Sequence, residues 1–308
     1  MARLAGAPIS WGVCEVPGWG RELAREQVLA QMARLGLVAT EVGPEGYLPD
    51  EPEKLVALLR RYSMRAVGGF LPVVLHRPAD LERTLAEVET SSRALAAGGA
   101  TTISTAAVVD LDWSSPGPMS DSEWDHMVMA LGRIDEIVAR HGLVQAFHPH
   151  VGTLIERAPE IEKLADRSDV GFCLDTGHLL IGGVDPADFA RRRAERVVHV
   201  HLKDADTTLA RDVADRRITL LEGVRAGLFP PLGRGDVPIA DTLSALAEAG
   251  YDGWFVIEQD RALDDSGQSA GSGPSSEMAE SIGYLRSLFE EGRINFLGTG
   301  AEKGGESQ

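Results

Sequence analysis

Along this chain, short runs of β-branched and apolar residues alternate with longer stretches in which apolar residues recur every three or four positions. The first pattern suits strands and the second suits amphipathic helices. Eight strand-like runs stand out: "LAGAPISW" (4–11), "LVATEVG" (37–43), "MRAVGGFLPV" (64–73), "ATTISTAAV" (100–108), "LVQAFHPH" (143–150), "VGFCLDT" (170–176), "RVVHVHLKD" (196–204) and "GWFVIEQ" (253–259). Between them lie helical patterns such as "RELAREQVLAQMARLG", "DLERTLAEVETSSRALAAGG" and "DSEWDHMVMALGRIDEIVARHG". Several stop at a glycine (Gly36, Gly99, Gly142, Gly250), the residue that most readily takes the left-handed turn ending a helix.

Strand–helix alternation builds a parallel sheet, and eight units predict an α/β fold closed as a (β/α)8 TIM barrel. An open doubly wound sheet would carry a glycine-rich phosphate loop after its first strand; here that strand runs into "SWGVCEVPGWG", which has no such spacing. The expected organisation is a single barrel domain over 1–298. Three segments stand outside the alternation. Residues 212–238 form a long excursion expected to hold its own helix. The Gly/Ser-rich loop 264–277 reads as disordered, with a flexible lid as the alternative, and 299–308 as a disordered tail.

Composition narrows the function classes. The 308 residues are 44% hydrophobic and 25% charged, an ordinary globular profile, with a formal net charge of −17. Such a charge disfavours nucleic acid and anionic membrane surfaces as partners and suits an enzyme acting on a small molecule. Cys14 and Cys173 form no CxxC pair, so a reducing cytoplasm is expected rather than a disulfide framework. The N-terminal "MARLAGAPISWG" has no long apolar segment and no run of eighteen apolar residues occurs, so neither a signal peptide nor a spanning helix is expected.

In a TIM barrel the active site forms at the C-terminal strand ends. Here strand five ends with His148 and His150, strand six with Asp175 and His178, strand seven with His199, His201, Lys203 and Asp204, and strand eight with Glu258. Alternation puts His199, His201 and Lys203 on one face, with Val198, Val200 and Leu202 turned outward. Four consecutive strands therefore offer an imidazole, a carboxylate, an imidazole and a carboxylate to one cavity. A single such residue at a strand end is usually just a hydrogen-bonded loop residue; four in succession predict a divalent metal site. The mixed N/O set suits Mn2+ or Co2+ first, with Zn2+, Fe2+ or Mg2+ admissible. Asp175 reads as a ligand and His178 as its neighbour or a substrate contact.

With those residues in hand, the chain resembles the xylose isomerase-like barrel superfamily of sugar isomerases, epimerases and dehydratases, and within it the inosose (2-keto-myo-inositol) dehydratases. The likeness rests on "ATEVGPEGYLP", "HPHVGTLIE", "CLDTGHLLIGGVDP", "VVHVHLKD" and "PLGRGDVPI". It implies His148, Asp175, His201 and Glu258 as the metal ligands. It also implies a lyase that removes water from a keto-inositol, giving an enol that settles as a cyclic dione. Ketose 3-epimerases of the superfamily carry a glutamate where this chain has His148, which disfavours two-base epimerisation. A sugar isomerase, an epimerase and a 3-keto-glycoside lyase are the alternatives on the same site; a barrel that only binds would have lost a ligand, and all four positions are filled. Barrels of this kind often assemble as homo-oligomers, and the expected substrate is a small polyol or sugar.

For the chemistry, Lys203, His150 and His178 are the candidate proton-transfer groups. A lysine beside a dication is expected to have a lowered pKa; the alternative is that Lys203 only pairs with Asp204 or another carboxylate. Glu41 after strand two, Glu156 beyond "HVGT", Arg234 in "GRGD" and Trp11 closing strand one are candidate substrate contacts. Equally, Glu156 could form a surface salt bridge, Arg234 could be solvated and Trp11 could be core. His126 and His141 read as surface residues and His76 as a weak candidate.

Overall fold

The computed structural model describes residues 3–267, 271–290 and 294. Nine strand segments form one parallel sheet: β1 (Arg3–Gly6), β2 (Ala39–Glu41), β3 (Arg65–Gly68), β4 (Phe70–Val73), β5 (Thr102–Ala107), β6 (Val144–Phe147), β7 (Gly171–Asp175), β8 (Val197–Leu202) and β9 (Trp254–Ile257). Their order is β3-β2-β1-β9-β8-β7-β6-β5-β4. Because β3 and β4 are two halves of one strand broken at Gly69, with β3 on β2 and β4 on β5, that strand closes the ring. The eight predicted runs are thus all strands of a TIM barrel, the third divided. Gly69 suits the break: a Cβ there would meet Val42 Cγ2 at 2.8 Å and Leu95 Cδ2 at 3.2 Å. At this point the backbone changes partner, Gly68 O accepting from Val42 and Gly69 O from Ser104.

The outer layer comprises α1 (Arg25–Arg34), α2 (Pro52–Arg61), α3 (Leu81–Gly98), α4 (Asp121–Arg140), α5 (Ala158–Arg167), α6 (Thr176–Ile181), α7 (Pro186–Arg193), α8 (Thr207–Ala214), α9 (Leu220–Arg225), α10 (Ile239–Glu248) and α11 (Pro274–Glu290). Their apolar stripes pack on the outward residues of the strands; in α4 these are Trp124, Met127, Leu131, Ile134 and Val138. Full burial of each such side chain contributes ~1.5–3 kcal/mol. The same helix starts at a capping box, in which Glu123 N–H donates to Ser120 Oγ and Ser120 N–H to Glu123 Oε2, worth ~1 kcal/mol. Gly36, Gly99, Gly142 and Gly250 all have positive φ.

Several boundaries differ from the sequence reading. The first strand stops at Gly6, and Pro8–Trp11 form a 3-10 turn, because Pro8 has no N–H to continue the ladder. Within the 212–238 excursion the expected helix is α9. The 264–277 loop is shorter than expected: α11 begins at Pro274 and buries Glu277, whose carboxylate accepts from Gln259 Nε2 at 2.7 Å and Ser272 N–H at 2.9 Å. Residues 268–270 of that loop and the 299–308 tail lie outside the described residues. Among the described residues no helix is long and apolar enough to cross a membrane.

Candidate metal centre

Ends of four adjacent strands converge on one buried floor. His148 follows β6, Asp175 ends β7, His201 lies in β8 and Glu258 follows β9, and each is under a tenth exposed. His148 Nε2 lies 3.5 Å from Asp175 Oδ2, which lies 3.6 Å from His201 Nδ1; His201 Nδ1 is in turn 3.1 Å from Glu258 Oε2. Adjacent ligand atoms bound at ~2.0–2.2 Å to one first-row ion lie ~3–3.5 Å apart, close to these neighbouring contacts; Asp175, His201 and Glu258 offer donor atoms all within 4.8 Å of one another, and His148 adjoins them through Asp175. His148 Nδ1 and Nε2, Asp175 Oδ2 and His201 Nδ1 are buried without a hydrogen-bond partner. Each such orphan costs ~1–3 kcal/mol unless something satisfies it. A divalent cation fits this donor set.

The segment Asp175–His178 assigns each residue a separate task. Asp175 Oδ1 caps α6 by accepting from His178 N–H at 2.8 Å, which leaves Oδ2 for the metal cluster. Thr176 Oγ1 donates to Lys203 O at 2.7 Å and accepts from Lys203 N–H at 2.9 Å, clamping the end of β7 to that of β8. Gly177 leaves room for a neighbour, since a Cβ there would meet Lys203 Cγ at 2.8 Å. His178 Nε2 lies 3.1 Å from Lys203 Nζ.

Lys203, 1% exposed, has its Nζ 2.7 Å from Asp260 Oδ1, 2.9 Å from Glu258 Oε2 and 3.4 Å from Asp175 Oδ2. Burial alone would strip its charge, but Asp175, Asp260 and Glu258 hold its pKa well above the ordinary lysine value. Among these carboxylates the lysine is held as an ammonium; a neighbouring dication, which would lower its pKa, is not part of that balance. Lys203 does not pair with Asp204, which turns away to accept from the backbone N–H of Ala205, Gly233, Gly235 and Val237 at 2.8–3.0 Å. Asp175 also titrates low: burial favours its neutral form, yet Lys203 and His178 hold it well below the carboxylate range. Burial pushes Asp260 up to about 6. Its signal in the sequence was its place two residues after Glu258, on the same face.

Above this floor opens a cavity of about 510 Å3. His150 lines it; its Nδ1 donates to Val151 O at 2.8 Å, leaving Nε2 unprotonated, and burial beside His148 and Lys203 pushes its pKa down to about 3. Its ring lies 3.8 Å from that of His178. Glu41 also lines the cavity, though Oε1 is committed to His199 Nε2 at 2.9 Å and His201 Nε2 at 3.1 Å.

The other candidate substrate contacts fare differently. Trp11 does not line the cavity; it is fully buried and its Nε1 donates to Gln31 Oε1 at 2.7 Å. Trp19 and Trp113 provide the indole walls instead. Arg234 is exposed and ion-paired with Glu280, away from the cavity. Glu156 is itself buried, yet it forms salt bridges with two exposed arginines, Arg216 Nη2 at 2.6 Å and Arg157 Nε at 3.9 Å, and accepts from Gly152 N–H; Arg216 also lines the cavity. His141 pairs with Glu89, His126 is half-buried, and His76 is buried outside the cavity.

The roof is the continuous segment 216–222, part of the excursion after β8. Its first residue, Arg216, and Trp113, which also lines the cavity, are two of the three non-glycine residues with positive φ among the described residues. Asp110 Oδ1 builds the turn that holds Trp113 there, accepting from Asp112 and Ser114 N–H at 3.1 Å. Strained backbone of this kind, worth ~1–3 kcal/mol, persists where surrounding structure fixes it and clusters at binding sites.

A family model described as xylose isomerase-like TIM barrel matches residues 10–288. An inosose dehydratase of Geobacillus kaustophilus (strain HTA426) is 31% identical over 274 residues, spanning 84% of this chain and 87% of the relative. Among solved structures, one described as the probable 3-DHS dehydratase AsbF of Bacillus anthracis superposes with a TM-score of 0.71 at 17% identity, over 93% of this chain and 99% of that one. An IOLI protein with a binding zinc atom gives 0.70 at 12% identity, over 94% and 98%. These two share the fold. A closed barrel with ionisable residues gathered at its strand ends, a family match over nearly the whole chain and a relative at 31% identity agree: the chain belongs to the xylose isomerase-like TIM barrel family.

Proposed function

We propose that this protein is a divalent-metal-dependent carbon–oxygen lyase that dehydrates 2-keto-myo-inositol to a cyclic dione. The observation that carries the reading is the gathering of Asp175, His201 and Glu258, with His148 adjoining, beneath one cavity; similarity to an inosose dehydratase supplies the substrate. Mn2+ or Co2+ held by those four residues would polarise the ketone oxygen and offset the charge that develops on it.

The chain's own groups supply the proton transfers. His150 Nε2, kept unprotonated by the donation of Nδ1 to Val151 O, takes the proton α to the ketone. The Lys203 ammonium, fixed by Asp260 and Glu258, donates to the departing β-hydroxyl. The C–O bond breaks as the C–C double bond forms, water leaves, and the enol tautomerises to the dione. His178 supports both groups, touching Lys203 Nζ and packing its ring, tilted by 34°, against that of His150. Trp19, Trp113 and the 216–222 roof shield the ring from bulk water.

The test uses protein stripped of metal, reloaded with Mn2+ or Co2+ and mixed with 2-keto-myo-inositol, following the enolic dione by ultraviolet absorbance. Metal-dependent product that disappears in His201→Ala supports the reading. Epimerised or isomerised polyol in place of dione would overturn the dehydratase assignment, and turnover unaffected by chelation would overturn the metal.

A further inference from the structure

Behind the candidate metal floor lies a second buried layer that the proposed chemistry leaves unused. Glu41 Oε1 sits between two imidazoles, 2.9 Å from His199 Nε2 and 3.1 Å from His201 Nε2. All three residues are at most 3% exposed. A carboxylate oxygen only accepts, so both ring nitrogens facing it must carry hydrogen. That places N–H on Nε2 of His201 and points Nδ1 at the metal cluster, 3.1 Å from Glu258 Oε2 and 3.6 Å from Asp175 Oδ2, where a bound cation would take the place of its proton. His199 in turn rests its Nδ1 3.2 Å from Thr102 Oγ1, so the chain of contacts runs from β5 through β8 to the end of β2.

The backbone is shaped for this arrangement. The β2–β3 register shifts between Thr40 and Glu41, an irregularity of the kind that re-aims a side chain. Opposite it, Gly68 keeps the space open: a Cβ there would meet Thr102 Oγ1 at 3.0 Å, Glu41 Oε1 at 3.3 Å and His199 Nε2 at 3.5 Å. Three members of one hydrogen-bonded group thus crowd a single glycine.

We infer that Glu41 and His199 are positioning residues for the metal ligand His201: the Glu41 carboxylate keeps the proton on Nε2 and turns Nδ1 toward Asp175 and Glu258, so that a cation held there meets the Nδ1 lone pair. A hydrogen-bonding partner on the far nitrogen of a ligating imidazole orients the ring and sharpens its basicity, and its loss typically costs 10–100-fold in metal affinity. The inference rests on the metal reading above but not on the identity of the substrate.

Two measurements test it on the full chain. In 15N-histidine-labelled protein loaded with Zn2+, long-range 1H–15N correlation spectra report each ring's tautomer; the expected pattern is Nε2–H and metal-bound Nδ1 for His201. Calorimetric titration with Mn2+ then compares wild type, Glu41→Gln and Gly68→Ala. Glu41→Gln is expected to bind about 10–100-fold more weakly, and Gly68→Ala, which only crowds the group, by less. His201 coordinating through Nε2 would overturn the inference, even if Glu41→Gln does not fold. So would Glu41→Gln binding Mn2+ as wild type does while KM rises, which would return Glu41 to a substrate contact. Wild-type protein that binds neither ion overturns the metal reading and this inference together.

Discussion

Replacing Asp204 by alanine removes one acceptor from four backbone donors. Its Oδ1 accepts from Ala205 N–H at 2.9 Å and Val237 N–H at 3.0 Å, its Oδ2 from Gly233 N–H at 2.8 Å and Gly235 N–H at 3.0 Å. Gly233 is exposed and Gly235 half-buried, so water can replace the carboxylate there, whereas Ala205 and Val237 are buried. Two stranded donors at ~1–3 kcal/mol each give ~2–6 kcal/mol. Burial raises the Asp204 pKa more than the four N–H groups lower it, so desolvation offsets part of the gain and the lower half of that range applies, about 3 kcal/mol. At ~2–4 °C per kcal/mol, a melting temperature lower by about 6–12 °C is expected. Asp204→Asn should lose nearly as much, since its amide nitrogen would face N–H donors. Amide hydrogen exchange at Gly235 and Val237 should accelerate in both variants. A melting temperature within 2–3 °C of wild type, about 1 kcal/mol by the same scale, with unchanged exchange there, would refute the reasoning.

Three further outcomes follow from named contacts. Gly177→Ala forces Lys203 aside, because its Cβ would lie 2.8 Å from Lys203 Cγ; kcat should fall roughly 100-fold with metal affinity retained, and unchanged kcat would show that the Lys203 position is immaterial. Gly182→Ala sets a Cβ 2.2 Å from the Glu156 backbone oxygen and should destabilise by more than ~2 kcal/mol in thermal unfolding. Burial raises Asp135 on α4 to about 6. Its stability contribution is therefore complete below the unfolded value of about 4 and lost as pH rises through 6. Asp135→Asn should gain ~1 kcal/mol over wild type at pH 8 and nothing at pH 4, the figure discounted because the group is half-exposed. No gain at pH 8 would instead place the Gln145 amide nitrogen on an ionised Asp135, 2.9 Å away in the reversed orientation.

Much of this fold was legible because its signals are local. A strand buried on both faces reads as an apolar run, and a glycine ends a helix wherever it falls, so eight units could be counted without their partners. The strand-end imidazoles and carboxylates were legible through the period of two along a strand. What failed depended on partners distant in sequence. "GRGD" reads as a polar loop offering Arg234, yet its backbone is gathered by Asp204, some thirty residues earlier, while Arg234 turns outward to Glu280. Trp11 and Trp19 occupy one short segment and both are buried in the core, yet Trp11, in the 3-10 turn begun at Pro8, stays clear of the cavity that Trp19 lines. Glu41 reads from the sequence as a candidate substrate contact, but its two histidine partners, 158 and 160 positions away, were beyond what spacing can convey.

The roof over the cavity comes from one uninterrupted stretch, 216–222, whereas the groups proposed to do chemistry sit on strand ends that the barrel itself holds in register. Selectivity and reactivity are therefore separable heritable units. A change in length or composition of that single stretch would alter the cover over the ring while the strand-end groups stay where the barrel holds them and Trp19 and Trp113 keep forming the walls.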